Sequence, residues 1–149
     1  MCVPPCWQFN FTAPMQALLD IGRIAQAQLL LVLPEVPIQD QVIILLGGVG
    51  DERSIEPIIA AMKSASSEPP SDKRRRTLTA GNLALTNITV AEVIWHHGGG
   101  ITVDGCPDDP AGCWSAWWER NRGTFRVKDI KVSRRYSNYP NYGVYRDAP

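Results

Sequence analysis

The sequence predicts an all-α protein: a short α-α superhelix of stacked helix pairs, followed by an irregular C-terminal tail. Three observations lead there. The stretch Leu45 to Ile59 runs from an apolar segment through Gly47, Gly48 and Gly50 straight into a second helix start, so two amphipathic helices meet at a tight turn. The pattern recurs: Gly22 and Gly50 lie 28 residues apart, and Leu29 and Ile58 lie 29 apart. Trp114, Trp117 and Trp118 then fall at i, i+3 and i+4, which puts three large rings on one side of a last helix. No helix of this kind buries its stripe alone, which is the physical reason to stack them.

Residues 1–13, with Pro4, Pro5, Trp7 and Phe9, form an irregular lead-in. Asn10-Phe11-Thr12 fits the N-glycosylation pattern, which matters only in a glycosylating host. Pro14 suits the first turn of a helix that carries Leu18 and Ile21, with Thr12 as its cap and Gly22 as its stop. A second helix spans Ile24 to Leu33 and closes at Pro34. A third opens at Pro37 and Gln39 and carries Val42, Ile43, Leu45 and Leu46 to the glycines, which halt it by taking the left-handed conformation. Asp51 caps the fourth helix, and Glu52 sits in its first turn, where the helix dipole favours negative charge. Ile55, Ile58, Ile59 and Met62 mark its buried face. Ser64 to Asp72 is a polar, proline-containing loop; the basic run Lys73 to Arg76 follows, and Leu78, Leu83, Leu85 and Ile88 carry a helix to Thr89. Val90 to Gly112 is glycine-rich and irregular, Pro110 to Asn121 forms the tryptophan helix, and Phe125 to Val132 alternates as a short strand does. The predicted core is Leu18, Ile24, Leu30, Val42, Leu45, Ile55, Ile58, Met62, Leu83 and Leu85.

The run Leu46-Gly47-Gly48-Val49-Gly50-Asp51-Glu52-Arg53-Ser54-Ile55-Glu56-Pro57-Ile58-Ile59 resembles the short HEAT repeats of phycobilisome-lyase-like proteins. There a leucine-glycine-x-isoleucine/valine-glycine-aspartate turn joins one repeat's second helix to the next repeat's first, and a proline precedes a pair of aliphatics as Pro57 does here. The ending, Ala84 to Thr89 and then Trp114 to Asn121, is similar to bacterial HEAT-repeat proteins whose last repeat is sealed by a tryptophan-bearing helix. The resemblance implies a right-handed solenoid of two to three repeats over residues 14–125, with the capping helix at 110–122 and a basic, tyrosine-rich tail at 126–149. It implies no activity, because such repeats serve mostly as binding surfaces.

The chain of 149 residues suffices for one domain with a core. Formal net charge is zero, which gives no global pull toward nucleic acid or an anionic membrane. The halves differ: residues 1–71 carry a balance of −4 and residues 72–149 of +4. The longest apolar run, Leu29 to Leu33, is far short of the ~20 residues a membrane span needs. No basic region precedes an apolar core at the N-terminus, so no ordinary signal peptide is visible; the abrupt start favours a fragment or processed form. The cysteines form two close pairs, Cys2/Cys6 and Cys106/Cys113, which suits two local disulfide loops in an exported or periplasmic setting; four free thiols in the cytoplasm are the alternative.

No motif for catalysis stands out: there is no Gly-x-Ser-x-Gly and no His-Glu-x-x-His. His96, His97, Cys106 and Cys113 are of the right kinds for zinc, but adjacent histidines seldom share a metal and the cysteine spacing is wide, so no metal site is assigned. Gly98-Gly99-Gly100 lacks the lysine and hydroxyl of a phosphate loop and reads as a connector. The three indoles could form a ligand platform, but core packing is the plainer use of rings that bury ~150–250 Å² each. The tail with its lysines, arginines and tyrosines raises single-stranded nucleic acid, against which stand the zero net charge and the missing recognition motif. The expectation is therefore a non-catalytic protein-binding or scaffold module without cofactor, its second helices lining a concave face, with Arg74 and Arg75 as candidate partner contacts. The alternative is a lyase-like or metal-dependent enzyme using His96, His97 and the cysteine loop.

Overall fold

The most apolar stretch of the chain becomes its central helix. In this computed structural model, residues 13–35, 37–89 and 109–127 are described, together with the backbone of four short strands. Helix α3 spans Gln39–Val49, and every residue from Val42 to Val49 is buried. A helix apolar all round has to be surrounded. On one side it meets α1 (Ala13–Ile21) and α2 (Gln26–Val32), and on the other α5 (Asp72–Thr89), its most extensive neighbour. Helix α4 (Ile55–Ser67) packs on α5 and on α6 (Pro110–Asn121). Single 3₁₀ turns, Gly22–Ala25 and Glu52–Ser54, lead into α2 and α4. Two antiparallel ribbons complete the elements: β1 (Ile94–His96) pairs with β2 (Gly100–Thr102), and β3 (Val132–Ser133) with β4 (Tyr145–Arg146). The buried apolar residues among those described all belong to the helices and their turns, so the core is all-α.

The helix positions follow the periodicity closely; Phe125 to Val127, expected to open a strand, have no regular structure, and two further local expectations do not hold. Gly47 and Gly48 do not halt α3. It runs through Gly47 and Gly48 to Val49, and Gly50 closes it in an extended conformation, its N–H donating to the Leu46 carbonyl at 2.7 Å. The left-handed glycine is Gly22, with φ +73°, where α1 gives way to the 3₁₀ turn. Gly47 serves a close approach instead: a Cβ there would lie 2.7 Å from the Ala84 Cα and 2.9 Å from its Cβ. Small residues facing each other let α3 and α5 pack nearly backbone to backbone.

The second correction is Ile24, predicted as core and in fact 84% exposed. Ala25, Gln26, Leu29 and Leu33 take the inward face of this segment, and Ile24 falls on the other side. The remaining predicted core positions are buried (Val42, Leu45, Ile55, Ile58, Met62, Leu85) or half-buried against the core (Leu18, Leu30, Leu83).

Candidate functional site

Gln26 replaces an aliphatic at the inward position because the turn after α3 needs its amide. Its Oε1 accepts the Asp51 N–H at 2.6 Å and the Ser54 hydroxyl at 2.8 Å. Asp51 in turn caps the 3₁₀ turn, accepting the Arg53 N–H at 3.0 Å, and holds the Arg53 guanidinium at 2.8 Å. Burial pushes the Asp51 carboxyl up. The side-chain and backbone hydrogen bonds from Arg53, the nearby Gln26 amide and the Arg53 charge outweigh it and hold the group below the ordinary aspartate value. Arg53 is pinned by this carboxylate at the mouth of α4, with its remaining surface in solvent.

At the other end of the stack, Asp109 caps α6 by accepting the Gly112 N–H at 2.9 Å, and Pro110 sits in the first turn. Trp114 is fully buried and donates its indole N–H to Asn82 Oδ1 on α5 at 2.8 Å. Trp117 stacks beside Trp118 at 6.4 Å and meets Trp114 and Phe125 edge-on at 5.8 and 5.4 Å. The helix that carries the indoles packs on α4 and α5. The chain then turns back: Phe125 N–H donates to the Asn121 carbonyl at 2.8 Å, and Val127 N–H to Glu52 Oε2 at 3.1 Å.

That return closes the far wall of an open groove of about 620 Å³ between the start of α4 and the end of α6. Pro57, Ala60 and the Trp118 indole form its floor, and Glu52, Arg53, Glu56, Arg122 and Arg126 form its rim. Trp118 is buried, and its indole N–H has no acceptor among the described residues. Arg122 holds Glu119 at 3.0 Å, while among the described residues Arg126 donates to the neutral Phe125 carbonyl, at 2.6 Å. The groove therefore sets three guanidinium groups, two of them paired with Asp51 and Glu119, and the carboxylates of Glu52 and Glu56 around an apolar floor. Sequence reading missed it because its walls lie some seventy residues apart.

Arg74 and Arg75, the predicted contacts, lie in the first turn of α5. Arg74 Nη1 donates to the Glu68 carbonyl at 3.0 Å, and Arg75 Nη2 pairs with Asp72 at 2.6 Å. Lys73 faces Glu68 at 3.5 Å and Arg76 faces Asp40 at 3.4 Å. The basic run is thus matched residue by residue, beside a smaller hollow of about 410 Å³ that Arg74 and Arg75 help to line. Half-buried Cys113 sits on α6, and no cysteine among the described residues is a free thiol. Cys2, Cys6 and Cys106 lie outside the described residues, as do the side chains of His96 and His97. No cluster of three metal-ligating side chains occurs among the described residues, and no described helix is long and apolar enough to cross a membrane. The chain matches no family model, no curated protein and no solved structure.

Proposed function

We propose that this chain is a non-catalytic protein-binding module whose α4/α6 groove takes an extended segment of a partner carrying carboxylate side chains. The observation that carries the proposal is the lining of that groove: three arginines and two glutamates, Glu52 and Glu56, around a floor of tryptophan, proline and alanine, with Arg126 the arginine that has no carboxylate partner among the described residues. Tryptophan and arginine are the residues that dominate protein interfaces energetically. An open groove cannot enclose a small molecule on most of its surface, as metabolite sites do. Selection from a displayed peptide library tests it. Acidic sequences with an apolar anchor are expected, and Arg122→Ala/Arg126→Ala should weaken them at least tenfold. Selected peptides that bind this variant as well as the wild type refute the groove, and failure to enrich any sequence refutes the function.

The solenoid is part of the same proposal. The most extensive contact, α3 on α5, joins second neighbours in the chain, as does α4 on α6, while α4 on α5 joins successive helices; a two-layer stack of HEAT-like repeats has contacts of both kinds. Arg74 and Arg75 form a second candidate surface beside the smaller hollow, and partner capture that survives Arg74→Ala/Arg75→Ala removes them. A Cys106–Cys113 bridge belongs here too, supported by the absence of a free thiol among the described residues. Thiol titration of the native chain tests it.

A further inference from the structure

The rim of the α4/α6 groove carries five charged side chains, and three of them are already engaged. Asp51 holds Arg53, Glu119 holds Arg122, and Glu52 accepts the Val127 N–H at 3.1 Å. The other two are Arg126, which donates to the neutral Phe125 carbonyl, and Glu56, which is exposed and makes no hydrogen bond or ion pair among the described residues. They are opposite in sign and make no ion pair with each other.

The backbone sets their order along the groove. The Val127 N–H on Glu52 puts Arg126 at the Glu52 end. Glu56 lies four residues further on, about 6–7 Å along the axis of α4, and Ala60 lies about 6 Å beyond it. An extended chain returns to the same side every two residues, about 6.6 Å. Successive same-side residues of a bound segment therefore fall in step with Arg126, Glu56 and the apolar floor of Pro57, Ala60 and Trp118.

We propose that the groove reads an ordered charge pattern: a partner segment with a carboxylate side chain, a basic side chain two residues on and an apolar side chain two residues beyond that, in either chain direction. This pattern rests on the peptide-binding reading above and adds to it the base, its place between acid and anchor, and its recognition by Glu56. Charge complementarity favours such a segment over a uniformly acidic one, because a carboxylate in the middle position would face Glu56. Glu56 also lies in the first turn of α4, where the helix dipole favours a carboxylate. A role confined to the helix would be blind to the partner's sequence, and that difference is the readout.

Selection from a displayed library of random peptides against the full chain, repeated against Glu56→Lys, tests it. Wild-type selections should show Lys or Arg midway between the acid and the anchor, and Glu56→Lys selections should show Asp or Glu there. In one selected peptide made synthetically, replacing the base with glutamate should weaken binding to the wild type about tenfold and strengthen binding to Glu56→Lys by a similar factor. High salt should shrink both effects, since exposed charge pairs are screened. A gain of binding by the variant cannot come from misfolding. Peptides that depend on Arg126 but carry no base at that place, or a base whose replacement affects wild type and Glu56→Lys alike, overturn the charge pattern and leave the peptide-binding reading standing. Failure to enrich any sequence overturns both.

Discussion

Replacing Gly47 with alanine sets two opposing effects against each other, and the geometry decides the sign. Alanine is the better helix former by about 1 kcal/mol in a helix interior, and Gly47 lies inside α3 with ordinary helical neighbours. Intrinsic propensity therefore predicts a gain. The added Cβ, however, would sit 2.7 Å from the Ala84 Cα and 2.9 Å from its Cβ. The obstacle is main chain in the middle of α5, so no side-chain rotation clears it and the two helices must separate. Overpacking of this kind costs about 1–3 kcal/mol; with backbone as the obstacle the upper part of that range applies. Net destabilisation is about 1–2 kcal/mol, or a fall of about 2–8 °C in Tm for a chain of this length. Urea unfolding with an unchanged m-value measures it. Gly81→Ala is the internal comparison, because the Cβ there meets Met62 Cγ and Sδ. That side chain is unbranched and can re-route, so the change should lie near neutral. A Gly47→Ala protein as stable as the wild type, or less affected than Gly81→Ala, refutes the close-packing argument.

Trp114→Phe leaves the buried Asn82 carbonyl without its donor, at a cost of about 1–3 kcal/mol by thermal unfolding. Gln26→Leu strips the acceptor from both the Asp51 N–H and the Ser54 hydroxyl; despite the gain in apolarity it should destabilise by about 2–3 kcal/mol in urea, since two buried donors lose their partner. The Asp51 carboxyl titrates below its unfolded value, so the stability it supplies is present above about pH 4 and fades as the pH drops through the lower, folded value. The stability gap between wild type and Asp51→Asn should accordingly be largest at pH 7 and shrink below pH 4; a gap constant with pH refutes it. Arg122→Ala should change stability by less than about 0.5 kcal/mol, because its pair with Glu119 is solvent-exposed.

The helices were legible because each carries a stripe at 3.6-residue spacing and ends at a cap or breaker that acts locally. Asp51, Pro110 and Gly22 do what their residue types dictate. The errors share one cause, a tertiary demand on a locally ambiguous residue. Gly47 and Gly48 read as a helix stop because nothing nearby shows that Ala84 will press against α3. Ile24 and Gln26 are two residues apart on a short helix with apolar residues on both sides, and hydrophobicity alone turns the isoleucine inward. Only the unmet hydrogen bonds of the distant Asp51–Ser54 turn reverse that choice. The groove was out of reach for the same reason, since the return of Val127 to Glu52 links residues 75 apart.

The Gln26 reversal and the groove meet at one place in the fold. Gln26 turns inward beside Leu29 and Leu33, and its amide oxygen ties the Asp51–Ser54 turn to α2. The same turn holds Arg53 through Asp51 at the rim of the α4/α6 groove. Relieving the junction with Gln26→Leu should therefore loosen Arg53 and weaken peptide binding, whereas Ile24→Glu, on the exposed side of the same segment, should leave binding as it was. If the Gln26→Leu protein binds peptide as the wild type does, the junction is only a local tie.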